Sequence, residues 1–224
     1  MGSKAIKSSI LLGFSLLVCA CQGQTKQVTT TTQSTNTTGA IVGGPFENRD
    51  FMFIGMPQNI KAIDTCPAWQ QQGQKLLVTG TIYKQDGKTP APNIILYYYH
   101  TDIYGKYPNS HNLDSRVARH GYMRGWVKTD NQGHYAIYTV RPASYPNTQI
   151  MAHIHPAIKE PQFEHPYYID EWVFDDDPFL TDAQRRNMTN RGGSGILKTT
   201  QMNGMQVAQH DIILGLNIPN YPNK

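Results

Sequence analysis

A chain of 224 residues carrying 20 lysines and arginines against 16 acidic residues, a net charge of +4, has room for one domain or at most two small ones. That balance excludes a nucleic-acid-binding surface. The only close basic grouping, Arg185, Arg186 and Arg191, reads as a solvated face.

The chain opens on an export pattern. Lys4 and Lys7 precede the apolar run SILLGFSLLVCAC, which breaks at QGQT; the run is too short to span a membrane and ends in small residues. Val18 three places before Cys21, with Ala20 just before it, resembles a bacterial lipobox, in which the cysteine is lipidated and becomes the new N-terminus. We therefore expect a signal peptide over 1–20 and a lipid anchor on Cys21, placing the protein on the bacterial cell envelope, with the outer membrane or cell surface favoured by Gln22. The alternative is a plainly secreted protein with an incidental cysteine. Loss of 1–20 removes two lysines and no acid, leaving 18 basic residues against 16 acidic. Cys66 then stands alone, so no internal disulfide is available and the fold must rest on an apolar core.

Residues 22–39, QGQTKQVTTTTQSTNTTG, contain one apolar side chain, Val28, and cannot bury enough surface to offset ordering; with Cys21 they predict a flexible tether over 21–40. From 41 to 224 the pattern is that of one all-β domain. LLVTGTIY (76–83), NIILYYY (93–99), HYAIYTV (134–140), QIMAHIH (149–155), YIDEWVF (168–174) and DIILGL (211–216) are short, rich in β-branched and aromatic residues, and bounded by turn residues such as QDGK (85–88) and DNQG (130–133). TDAQRRNM (181–188) alone reads as a helix, with Thr181 as its N-cap. The spacing predicts a β-sandwich. Trp126, Tyr135 and Tyr138 are expected in its core, His100 and His134 as satisfied polar residues, and Asp175, Asp176 and Asp177 as a solvated loop.

His153 and His155 lie two apart in a predicted strand, so they project from one face and can reach a single transition metal. Alone, such a pair is more readily an ordinary polar face. No cysteine is near, which excludes a thiolate zinc site, and no acid adjoins the pair in sequence for a two-histidine, one-carboxylate ferrous site. Tyrosines are close instead: Tyr145 stands eight residues before His153, and Tyr107 closes HTDIYGKY. Phenolates are hard anionic donors suited to ferric iron, and two would cancel two of its charges in a half-buried site.

Five segments, in this order, resemble the intradiol ring-cleavage dioxygenases, the family of protocatechuate 3,4- and catechol 1,2-dioxygenases. They are VGGPFENRDF (42–51), YYYHTDIYGKY (97–107), YMRGWVKTDNQGHYAIYTVRPASYP (122–146), AHIH (152–155) and FDDDPFL (174–180). The resemblance implies that Tyr107, Tyr145, His153 and His155 bind non-haem Fe(III). It implies further that Tyr145 leaves the metal and takes a proton when an aromatic diol binds, and that O2 cleaves the ring to a muconate-type diacid without an organic cofactor. The family's usual arginine three residues before the first histidine is Ile150 here, and a glutamine near the substrate corresponds to Glu171. Ile150, Glu171 and Arg124 are accordingly the expected substrate-pocket residues, with Arg124 or Arg141 as candidates for the missing cation. An altered substrate preference or modest activity is expected.

Two rival readings remain open at this stage. The stretches VTGTIYKQDGKTPAPNIILYYY and TDNQGHYAIYTV also resemble the transthyretin-like and carboxypeptidase-regulatory-like sandwiches, which would make a non-catalytic binding or spacer module. A zinc or ferrous hydrolase would use the histidines and leave both tyrosines unexplained.

Overall fold

The computed structural model describes residues 41–45, 49–110 and 112–222; the expected signal peptide, Cys21, the tether and His111 lie outside them. In chain order the elements are β1 (Ile63–Thr65), β2 (Lys75–Tyr83), β3 (Ile95–His100), β4 (Arg124–Lys128), β5 (His134–Val140), β6 (His153–Lys159), β7 (Tyr167–Tyr168), β8 (Trp172–Phe174), α1 (Asp182–Asn187), β9 (Ile196–Leu197), β10 (Thr199–Met202), β11 (Met205–Gln209) and β12 (Ile212–Ile213). Short 3-10 turns at Arg49–Met52, Pro67–Gln70 and Ser115–His120 complete the set.

The strands form two sheets. One runs β1-β5-β2-β11-β10, with β12 also on β2; the other runs β4-β3-β6-β8-β9, with β7 also on β6. Alternation explains their stacking. Leu76, Val78 and Ile82 of β2 and Tyr135 and Ile137 of β5 point inward to meet Leu96 and Tyr98 of β3, Val127 of β4, Ile154 and Ile158 of β6, and Trp172 and Phe174 of β8. This single apolar core includes Cys66, which is free and buried. Gly80 interrupts β2 because a side chain there would strike the His210 carbonyl, where the partner strand passes from β11 to β12.

The second sheet is unusual in burying its outer face too. Tyr97 and Tyr99 of β3 and Ala157 of β6 lie there beneath Met52, with Tyr107, Trp126 and Tyr168 packed around them. The covering segments are fastened by polar contacts: Trp126 Nε1 donates to the Met52 carbonyl at 2.6 Å, and the Arg124 guanidinium donates to the Ile54 carbonyl.

Several expectations need correction. Trp126 lies on this outer face and Tyr138 on the far side of β5 against Trp69, so of the three aromatics expected in the core only Tyr135 is there. The strand expected over 149–155 starts at His153 and runs on through Pro156 to Lys159. Proline is tolerated because β8 pairs with residues 153–154 and β7 with 157–158, leaving Pro156 unpaired on that side. The run 168–174 splits into β7 and β8, and 211–216 keeps only β12. Asp177 is buried and accepts from the backbone N–H groups of Ala152 (2.9 Å) and Phe179 (2.8 Å), while Asp175 pairs with Arg185 and Asp176 with Arg141. The aspartate run is therefore a bonded corner and not a solvated loop. Helix α1 carries the anticipated Thr181 cap, completed to a capping box by Gln184.

Candidate metal centre

Strand β6 sets two of the donors. Its pairing with β3 places His155 opposite Tyr99, and the period of two puts His153 on the same outer face. Tyr99 fixes the His155 ring by stacking at 4.4 Å between centroids, and His120 stacks on the other face of Tyr99 at 3.8 Å.

The two tyrosines arrive on loops. Tyr107 follows β3 after a turn in which Asp102 accepts from the N–H groups of Tyr104 and Lys106, both at 2.9 Å. Tyr145 begins a turn closed by Thr148 N–H to the Tyr145 carbonyl, with Pro146 next and Asn147 at a φ of 60°, the left-handed position a type II turn requires. The loops are joined to each other. Ala143 N–H donates to the Asp102 carbonyl (3.0 Å), and the Thr101 hydroxyl donates to the Ala143 carbonyl (2.7 Å). Gly105, at a φ of 72°, sits so close to the second loop that a Cβ would lie 1.9 Å from the Ser144 carbonyl oxygen. Only glycine fits there.

Four donor atoms converge as a result. Tyr107 Oη lies 2.6 Å from Tyr145 Oη and 2.8 Å from His155 Nε2; Tyr145 Oη lies 3.2 Å from His153 Nε2; the two Nε2 atoms are 3.1 Å apart. The outward nitrogens settle the tautomers. His153 Nδ1 is 2.7 Å from the Met151 carbonyl and His155 Nδ1 is 2.9 Å from the Glu171 carboxylate. Both partners can only accept, so each Nδ1 carries the proton and each Nε2 presents a lone pair to the centre. Two imidazole lone pairs facing each other, with two phenol oxygens beside them, form a set that a cation satisfies.

The electrostatics agree. Burial raises the Tyr145 phenol above its ordinary value and raises that of Tyr107 further, aided by the hydrogen bond between them. Phenolates at this depth need a compensating cation, and a bound metal reverses the effect of burial. Burial lowers the His153 pKa and keeps the ring neutral, as a ligand must be. The hydrogen bond from His155 lowers Glu171, keeping its carboxylate ionised.

All four expected ligands are thus brought together. Glu171 is at the site as expected, in a different role: it holds the back of His155. Sequence spacing concealed it, because the acid beside the histidine pair comes from the turn before β8, sixteen residues on. His153, His155 and Glu171 also meet the spacing of a three-residue metal group, but Glu171 engages Nδ1, the nitrogen turned away from the tyrosines. Ile150 is 45% exposed, and neither it nor Arg124 lines the cavity beside the site. Arg124 is buried against Tyr97 and Trp126, and Arg141 pairs with Asp176 over Phe174; neither takes the place of the missing cation. That cavity, of about 520 Å³, touches one of the four donors, His155; Tyr99, Met151, Tyr168 and Glu171 line it too, with Gln184 of α1 and Met188, Thr189 and Arg191 from the end of α1 and the loop after it.

Comparison with known proteins bears on the family and the fold. A family model described as Dioxygenase matches residues 53–212. Among solved structures, the dioxygenase domain of a dioxygenase–carbohydrate-binding protein fusion from Streptomyces sp. SirexAA-E superposes with a TM-score of 0.52 at 17% identity, covering 71% of this chain and 91% of that one. Chlorocatechol 1,2-dioxygenase from Pseudomonas putida gives 0.53 at 19%, covering 71% of this chain and 66% of that one. Hydroxyquinol 1,2-dioxygenase from Pseudomonas putida DLL-E4 gives 0.53 at 23%, covering 81% and 68%. At these identities the likeness is one of fold, and the chain spans only about two thirds of the length of the two Pseudomonas enzymes. No curated protein matches the sequence.

Proposed function

This chain belongs to the intradiol dioxygenase family, and from that membership and its donor set we propose that it is a non-haem ferric enzyme. It opens a catechol-type ring between the two hydroxylated carbons with O2, giving a muconate-type diacid. The observation that carries this reading is the convergence of Tyr107, Tyr145, His153 and His155, with both histidines oriented by partners behind them. A non-catalytic sandwich has no reason to assemble it.

Ferric iron bound there supplies Lewis acidity that favours the catecholate and makes the ring open to O2. The residues do the rest. Tyr107, His153 and His155 would hold their places: Tyr107 follows a turn closed by Asp102, and the histidines are on a paired strand. Tyr145 is the least constrained of the four, being half-buried on a turn, with its hydroxyl at the longest of the contacts to a histidine. Its phenolate oxygen would be the base that takes the proton of a substrate hydroxyl. Tyr99 and Tyr168 give the cavity an aromatic wall for the ring.

The test is the visible spectrum of protein loaded with iron under air. A tyrosinate-to-iron charge-transfer band is expected, weakened in Tyr107→Phe and in Tyr145→Phe and shifted by catechol, with O2 consumed thereafter. Iron bound without such a band would favour the group of His153, His155 and Glu171 instead. Failure to retain iron would leave a binding module.

Anchoring to the envelope through Cys21 is part of the same proposal. Among the described residues no helix is long and apolar enough to cross a membrane. Labelling with a radioactive fatty acid, lost in Cys21→Ala, tests it.

A further inference from the structure

The two donor histidines are backed in different ways. His155 Nδ1 meets the Glu171 carboxylate directly, at 2.9 Å. His153 Nδ1 donates to a neutral acceptor, the Met151 carbonyl, at 2.7 Å. That carbonyl and the Ala152 N–H belong to one planar peptide group and point in opposite directions. The Ala152 N–H in turn donates to Asp177 Oδ2 at 2.9 Å. The contacts therefore run from the imidazole, through a single peptide group, to a carboxylate, and Ala152, His153 and Asp177 are all buried. The Asp177 side chain is held in place by the Phe179 N–H on Oδ1 at 2.8 Å, and its main chain by bonds to the Phe174 carbonyl and from the Leu180 N–H, both at 3.0 Å. Among the described residues no cation pairs with it, since Arg185 and Arg141 take Asp175 and Asp176. Strand β8 brackets the arrangement. Glu171 stands just before it, Asp177 three residues past its end, and its Val173 pairs with His153 itself.

We propose that Asp177 is a positioning residue for His153, acting on it through the Met151–Ala152 peptide group. Its consequence at the metal rests on the ferric reading given above. The carboxylate draws the Ala152 amide proton, which leaves the Met151 carbonyl more negative. The carbonyl then holds the His153 Nδ1 proton more firmly, and Nε2 becomes the better donor. Three considerations carry this. A hydrogen bond to a carboxylate is stronger than one between neutral groups. Successive hydrogen bonds in a buried, low-dielectric setting polarise one another. The partner behind a ligating imidazole fixes its tautomer and raises its basicity. Each histidine thus has a carboxylate behind it, direct for His155 and relayed for His153, and the two acids come from the two ends of β8. An aspartate that merely closed the corner after β8 would need no bond to Ala152.

Two signals test it. In metal-free protein, NMR follows the His153 Nδ1 proton, identified by its loss in His153→Gln; in iron-loaded protein, the charge-transfer band is followed. Asp177→Asn removes the charge and offers one acceptor oxygen where the carboxylate offers two. Its Nδ1 proton is expected to move upfield and its band to longer wavelength, with iron retention lower by about tenfold, the low end of the range for groups behind a ligand. Asp176→Asn makes the same charge change one residue away, in the pair with Arg141, and should leave both signals in place. Unmoved signals in Asp177→Asn, or equal movement in Asp176→Asn, would overturn the inference. If Asp177→Asn does not fold, wild type decides. Scalar couplings are expected across the bonds from Ala152 N–H to the Asp177 carboxylate and from His153 Nδ1 to the Met151 carbonyl, as across the backbone bonds between β3 and β6. Absence of either, where the strand bonds show theirs, overturns it. Should wild type form no charge-transfer band, the ferric reading falls, while the proton resonance still decides whether Asp177 acts on His153.

Discussion

At the scale of single residues, the site depends as much on what stands behind the donors as on the donors. Glu171 is the clearest case, because a negative charge 2.9 Å from His155 Nδ1 makes that imidazole a stronger donor to a cation. In Glu171→Gln the side chain still accepts from Nδ1 but the charge is gone, so ferric iron becomes easier to reduce. The tyrosinate band should then move to longer wavelength. Glu171→Leu, which removes the acceptor as well, should lower iron retention by about 10–100-fold. An unchanged band together with unchanged retention would remove Glu171 from this role. The four converging residues were legible in the sequence because their types and order form a pattern. Glu171 as a partner of His155 and Arg191 on the cavity wall were not, since each depends on where a turn delivers one side chain, and neither alternation nor a motif encodes that.

At the scale of elements, two loops and one strand share a junction. Gly105 is where this is most exposed to test. In Gly105→Ala, the new methyl group meets the Ser144 carbonyl and the residue is held at a positive φ, so the loops must part. A loss of about 1–3 kcal/mol in urea unfolding is expected, with weaker iron binding because Tyr107 and Tyr145 no longer meet. Retention of both properties would mean that the loops do not position the tyrosines. The long alternating strands β2 and β5 and the capped helix α1 are visible in sequence because local pattern and burial agree there. The short β1, β9 and β10 are not, being two to four residues that become strands only by pairing with longer neighbours. Likewise, nothing local tells which face of its strand an aromatic residue takes, and that ambiguity misplaced Trp126, under the outer cover, and Tyr138, on the far face of β5.

At the scale of the whole molecule, three buried histidines other than the two donors make the fold sensitive to acid. Burial holds His100 and His210 down to about 4 and His120 to about 3, against an ordinary value of 6.5. The unfolded chain binds more protons across that window, so the stability gained by keeping these rings neutral is complete above about pH 6.5 and lost as the pH falls towards 4. The urea midpoint should therefore drop between about pH 7 and pH 4.5, and less steeply in His210→Gln. A midpoint flat over this range would contradict the burial seen. The position of the donor set has a consequence of another kind. It is built on the outside of one sheet and on loops, apart from the apolar layer between the sheets that stabilises the domain. The donors consequently stand apart from the core between the sheets, and descent from a common ancestor can retune, exchange or silence the chemistry while that core is inherited intact. Among descendants of this architecture, a preserved sandwich is poor evidence of preserved catalysis, and the residues to compare are the five that converge: Tyr107, Tyr145, His153, His155 and Glu171.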